Sequence, residues 1–208
     1  MIYDISPPLS AATPVWPGDA PLSRHLNQVV EQGDTATTSR LSATVHLGAH
    51  VDAPCHYQAN GAGVGTLSLA PFIGPCEIID VNVARGSTIP SSALPRTIQA
   101  PRVLLRTGTG VRNGLFPTDF AALSLTLIEE LSSRGCLLIG IDTPSVDLYD
   151  SRNLLAHHAC GHANIAILEG LVLNHVPAGV YELIALPLRL IDFDASPVRA
   201  ILRTLDHD

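Results

Sequence analysis

Apolar residues in this chain gather in short runs punctuated by Pro and Gly, at 2–6, 42–46, 76–83, 102–106, 136–142 and 180–186. Runs of that length, rich in Val, Ile and Leu, predict buried β-strands. One stretch follows another period. Between 124 and 134, Leu127, Ile128 and Leu131 share one helical face, Ser124 stands where an N-cap would, and Gly135 stands where a helix stops. A second helix is expected over about 150–163. The order strand, helix, strand across 124–142 makes the chain an α/β protein. The other connections are too rich in Pro and Gly, 16 of each, for regular crossover helices, so a plain doubly wound sheet is not expected.

Composition sets limits on that picture. With 208 residues, 46% of them apolar, and no break in composition, the chain reads as a single domain over residues 1–208. The net charge of −7 and the pI near 5.6 come from scattered acids. There is no basic run or aromatic-interleaved basic stripe, so neither nucleic acid nor an anionic membrane is an expected partner. The first residues lack the pattern of a signal peptide, and no apolar run reaches the roughly 18 residues of a membrane span, which predicts a cytoplasmic protein. Cys55, Cys76, Cys136 and Cys160 are too scattered for a disulfide framework or a Cys-type zinc ribbon, and buried thiols are expected.

Chemistry enters with the histidines. Of nine, His46, His50 and His56 fall within one short segment, and His157, His158 and His162 within another. His46, His50 and Asp52 form His-x-x-x-His-x-Asp, a nitrogen and oxygen set suited to zinc, manganese or iron. The helical zinc-protease motif needs Glu after the first His, where this chain has Leu47, and Gly48 and Pro54 disfavour a helix. The segment is expected instead to run off the 42–46 strand into a tight loop, in which Gly48 lets the three side chains converge. A carboxylate such as Asp52 can bridge two cations that activate a water between them. Further ligands would come from His157, at the head of the second helix, and from Glu169, which closes the apolar run 165–168. His56 is either a ligand or an acid/base. His25, His175 and His207 are assigned no role. His158 and His162 stay unassigned, since only one face of a helix can point into a site. Asp142 and Asp147 could orient a ligand histidine, but their Thr143-Pro144-Ser145 context favours a turn role.

The same residues carry a resemblance. The run His46-Leu47-Gly48-Ala49-His50-Val51-Asp52-Ala53-Pro54-Cys55-His56 is its strongest part. Asp4-Ile5-Ser6-Pro7-Pro8-Leu9, Pro14-Val15-Trp16-Pro17-Gly18-Asp19, Leu105-Arg106-Thr107-Gly108, Ala156-His157-His158-Ala159 and Ile167-Leu168-Glu169-Gly170-Leu171 extend it. Over nearly its whole length the chain resembles the bacterial cyclase-type kynurenine formamidases, also called arylformamidases. The resemblance implies one divalent metal held by His46, His50 and Asp52 and a second held by Asp52, His157 and Glu169, zinc or else manganese. It implies His56 as the proton donor and acceptor and Trp16 as the platform for an aryl ring. The implied fold is a mixed, barrel-like sheet with flanking helices, the cyclase-like swivelling fold, and the implied assembly is a homodimer. The stretch Cys160-Gly161-His162 departs from the family's pattern, which has a more regular, charged helix there.

The expected reaction is hydrolysis of N-formyl-L-kynurenine to L-kynurenine and formate, a step of tryptophan degradation, by a metal-activated water. No G-x-S-x-G elbow is present to support a serine-hydrolase route. The rival is another amidohydrolase of the same superfamily, such as one acting on isatin. A purely structural zinc is disfavoured, because such sites are normally closed and Cys-rich.

Overall fold

The computed structural model describes residues 1–112 and 114–205; His207 lies outside them. In chain order the strands are β1 (Ile2–Asp4), β2 (Ser23–Gln28), β3 (Thr38–Ser42), β4 (His50–Asp52), β5 (Ile73–Asp80), β6 (Thr88–Ile89), β7 (Arg102–Arg106), β8 (Ala122–Leu123), β9 (Leu138–Ile141), β10 (Ala166–Glu169), β11 (Gly179–Ile184), β12 (Ala195–Pro197) and β13 (Ile201–Thr204). The helices are α1 (Leu125–Ser133) and α2 (Leu155–His162). Nine strands form one sheet in the order β1-β13-β11-β5-β7-β9-β10-β4-β12. Its middle, β5, β7, β9 and β10, is parallel, and both wings are antiparallel. The sheet curls into a half-barrel, in line with the barrel-like α/β expectation.

The central strands read as continuous apolar runs because both of their faces are covered. Leu104 of β7 and Leu138 of β9 join a core with Val51, Leu168 and Leu183. Val103, Leu105, Ile139 and Ile141 face the other way and pack with Leu127, Ile128 and Leu131 of α1 and Ala156 and Cys160 of α2. Both helices therefore cover the same face. Each fully buried Leu or Ile contributes about 1.5–3 kcal/mol. The α1 helix starts where its sequence says, with Ser124 Oγ accepting from the Leu127 amide at 3.1 Å. Among the described residues no helix is long and apolar enough to cross a membrane, and the four cysteines are unpaired, three of them buried.

One strand expectation is corrected. Residues 42–46 are not a strand: β3 ends at Ser42, His46 sits in a bend, and the next strand begins only at His50. Pairing decides this. The β4 strand lies between two partners, with Asp52 opposite Ile167 on one side and Ala195 on the other. The β2–β3 hairpin, by contrast, forms a separate two-stranded sheet. It is exposed nearly throughout, so it lacks the apolar alternation by which strands are recognised in sequence.

The Ser124 cap is remote from the histidines. Replacing Ser124 with Ala removes the acceptor for one helix-terminal amide and should cost about 1 kcal/mol, seen as a lower urea midpoint with an unchanged slope.

Candidate metal centre

Strand geometry assembles the floor of the site. His50 and Asp52 are two residues apart on β4 and project from the same face. Antiparallel pairing sets Glu169 of β10 directly opposite His50, so its carboxylate lies beside that imidazole. The α2 helix packs over this face and carries His157. His46 arrives from the bend before β4. That bend needs Gly48, whose φ is +61° and whose added Cβ would lie 2.6 Å from Leu9 Cδ2. Gly161, the departure noted in α2, is explained by a close approach: a Cβ there would lie 2.4 Å from Gln58 Nε2 and 2.8 Å from the Tyr57 ring.

The two oxygens of Asp52 face different partners. Oδ1 lies 3.1 Å from His46 Nδ1 and 3.5 Å from His50 Nε2. Oδ2 lies 3.2 Å from His157 Nε2. Glu169 spans the same gap, with Oε2 3.3 Å from His50 Nε2 and Oε1 3.6 Å from His157 Nε2. Its Oε1 also accepts from the Val146 amide at 2.7 Å. The five residues expected from sequence as ligands thus converge. His56 joins them, its ring centroid 4.3 Å from that of His46. Ligand atoms of His46, Asp52 and His56 lie within 4.8 Å of one another, as do those of His50, Asp52 and Glu169. His158 and His162 pair with each other instead, at 6.5 Å between ring centroids.

Each inner imidazole is held from behind. His50 Nδ1 donates to the Gly48 carbonyl at 2.9 Å. His157 Nδ1 donates to Asp147 Oδ2 at 2.7 Å, and His46 Nε2 to Asp194 Oδ2 at 2.9 Å. Such outer acceptors fix the ring and leave the other nitrogen's lone pair for a cation. Two atoms test whether a cation fits: His50 Nε2 and Asp52 Oδ1 are buried without a hydrogen-bond partner. A buried polar atom left unsatisfied costs about 1–3 kcal/mol, and a divalent ion between these two would satisfy both. The donor set of imidazoles and carboxylates suits zinc or manganese.

Asp147 corrects the turn expectation. Besides holding His157, its carboxylate accepts from the amides of Ala156 and His157 at 3.0 Å each, capping α2. Asp142 likewise serves more than a turn, accepting from Thr107 and Gly108 amides at 2.8–3.0 Å. Sequence reasoning missed Asp194 altogether. It lies 148 positions from its partner His46, in a loop with no local signal.

Charge is balanced within the cluster. Burial would raise the Asp52 pKa, but the imidazoles of His157 and His46 beside its two oxygens hold it well below the usual carboxylate range. Glu169 is pushed up by burial and by the charge of Asp52. Burial opposes the imidazolium of His46, yet Asp52 and then Asp194 carry it up to about 9. His157 rises to about 10 against the same opposition, through Asp147 and Asp52. His56 goes the other way: burial outweighs the pull of Asp52 and lowers it to about 4.

Above this floor opens a cavity of about 780 Å³. Its wall includes Trp16, which stacks on Tyr149 (5.0 Å between centroids, 29° between planes) and meets Phe116 edge-on at 5.3 Å. Phe116 and Tyr149 come from other loops and were not foreseen as partners of Trp16.

Residues 3–148 match the family described as "Putative cyclase". The chain belongs to the cyclase family. Solved structures similar to this cyclase-family chain include a potential metal-dependent hydrolase with cyclase activity (28% identity, 97% of this chain and 96% of that one, TM-score 0.83). A predicted metal-dependent hydrolase from Bacillus stearothermophilus is 27% identical, with 97% of each chain covered and a TM-score of 0.81. An isatin hydrolase bound to the product analogue thioisatinate shares the fold at 22% identity, covering 97% of this chain and 91% of that one, with a TM-score of 0.83. The family match ends before His157 and Glu169, so their membership of the cluster rests on geometry.

Two predictions follow from these contacts. Asp147→Asn keeps an acceptor for the α2 amides but removes the charge behind His157, and should weaken divalent metal binding about 10–100-fold, measured by competition with a chelator. The second concerns pH. Imidazoles raised from 6.5 to about 9 and about 10 stabilise the metal-free fold fully below pH 6.5, and that stability is lost as pH climbs through those folded values. Metal-loaded protein, whose ligands are already deprotonated, lacks this loss. The gap between melting temperatures of loaded and chelated protein should therefore widen from pH 6.5 to 10. The comparison is needed because buried Cys76 and Cys136, pushed up to about 12 and about 11, weaken both samples at the alkaline end.

Proposed function

We propose that this cyclase-family chain is a metal-dependent amide hydrolase that converts N-formyl-L-kynurenine to L-kynurenine and formate. The observation that carries the reading is the convergence of His46, His50, Asp52, His157 and Glu169, with unsatisfied inner atoms, at the floor of an aromatic-walled cavity. His46, His50 and Asp52 would hold one divalent ion, and Asp52, His157 and Glu169 a second. When bound, such ions supply a water of lowered pKa and polarise a carbonyl. The two similar structures at 27–28% identity, a potential and a predicted metal-dependent hydrolase, agree with this chemistry.

The chain's own residues supply binding and proton transfer. Trp16 and Phe116 offer an aryl ring large apolar faces and keep water from that side, and Tyr149 backs Trp16 by stacking on it. His56, neutral at working pH, can accept a proton as the formyl carbon is attacked and return it to the departing aryl nitrogen. That return matters because an anilide nitrogen leaves poorly as an anion, and a placed acid is worth about 10²–10⁴ in rate. A second reading, hydrolysis of a cyclic aryl amide such as isatin, draws on the same aromatic wall and the same ions.

Assay of both substrates separates the readings. Chelated enzyme should lose N-formyl-L-kynurenine hydrolysis, and zinc or manganese should restore it. Hydrolysis of isatin with none of the formamide would replace the first reading by the second. His56→Ala should keep its metals and lose about 10²–10⁴ in kcat; near-normal turnover would remove His56 from the proton transfer.

A further inference from the structure

The loop between β7 and β8 is pinned at its base. Asp142 accepts from the Thr107 and Gly108 amides and from Thr107 Oγ1, the last at 2.6 Å. Thr107 Oγ1 lies 2.7 Å from Thr109 Oγ1, which accepts from the Ala121 amide at 2.9 Å. One hydrogen-bonded chain thus ties both ends of the loop to the sheet. Between those ends the loop sends Val111, Arg112 and Phe116 into the cavity wall.

Arg112 is the one arginine or lysine among the described residues that line this cavity. Besides the imidazoles of the floor, the other ionisable side chains there are the acids Asp19, Asp142, Asp194 and Glu169. The whole sequence contains no lysine, so every strong cation is an arginine placed by its own loop or strand. Arg112 Nη2 donates to the Gly108 carbonyl at 2.6 Å, which folds the side chain back towards the pinned base. Asp119, a carboxylate whose charge Arg112 also feels, is held by both Nε and Nη2 of Arg85 at 2.8 and 2.7 Å. Among the described residues Arg112 therefore forms no ion pair, and part of its guanidinium fork is left for a ligand. That fork matches a carboxylate in two parallel hydrogen bonds.

We propose that Arg112 binds the carboxylate of an aromatic substrate whose ring rests against Trp16 and Phe116, making it a specificity-determining residue of this cavity. The inference rests on the formamidase reading, because N-formyl-L-kynurenine joins an aryl formamide to an amino-acid carboxylate. It assigns the three parts of that molecule to three places: the formamide to the histidine and carboxylate floor, the ring to the aromatic wall, and the carboxylate to the β7–β8 loop.

The test compares N-formyl-L-kynurenine with 2-formamidoacetophenone, which keeps the aryl formamide and ketone but lacks the amino-acid end. In metal-loaded Arg112→Gln the KM for the first should rise about 10–100-fold, with kcat little changed and the neutral analogue unaffected. Arg112→Lys should recover part of the loss. An equal change for both substrates would mean that Arg112 merely clips its loop, and no change for either would leave it without a role; both overturn the proposal. Calorimetric binding of L-kynurenine and 2-aminoacetophenone separates this inference from the reaction, since it needs no turnover. Weaker binding of L-kynurenine alone in Arg112→Gln supports the carboxylate site even if neither formamide is hydrolysed. Wild-type protein that binds neither compound overturns both the inference and the reading beneath it.

Discussion

The buried carboxylate of Asp52 is the constraint around which this protein is arranged. A carboxylate in an apolar interior is costly unless opposite charge and hydrogen bonds surround it, and here its two oxygens address His46 and His50 on one side and His157 on the other. Three imidazoles then face two buried acids. In the absence of a metal they resolve the imbalance by holding protons, which is why His46 and His157 sit far above the ordinary histidine range. A divalent ion would take over the role of those protons. Metal binding, proton release and stability of the fold are coupled through one group of side chains.

The elements differ in how firmly they hold their parts of the cavity. The floor stands on β4, β10 and α2, where ladder pairing and core packing fix each residue, and the outer acceptors Gly48, Asp147 and Asp194 fix ring orientation. The aromatic wall comes from the loops that bear Trp16 and Phe116, with Tyr149 stacked behind Trp16. Loops on a rigid scaffold can change shape without disturbing the strands beneath. A shared fold alone therefore does not identify the substrate.

Local information was enough for some of this and insufficient for the rest. Ser124, Leu127, Ile128 and Leu131 define α1 because a cap and a helical stripe act within one or two turns. The apolar runs of β5, β7, β9 and β11 were legible because buried parallel or central strands carry their signal in consecutive residues. The hairpin β2–β3 was not, since its exposed residues have no apolar period. The strand expected over 42–46 does not form, because strand formation needs a ladder partner and residues 43–49 have none.

For the site, the sequence by itself determined the set of candidate ligands: His46, His50 and Asp52 around a Gly that can take positive φ, a third histidine nearby, and His157 and Glu169 further on. Spacing of a few residues was sufficient there, because β4 projects His50 and Asp52 from one face whatever lies around it. Tertiary structure alone decided which side chains stand behind those ligands and which line the cavity. Asp147 and Asp194 look like ordinary loop acids until folding sets them against His157 and His46. Phe116 and Tyr149 meet Trp16 across more than 90 positions of chain. Contacts between distant segments leave no periodic trace in either segment, so only the register of the sheet and the path of its loops could reveal them.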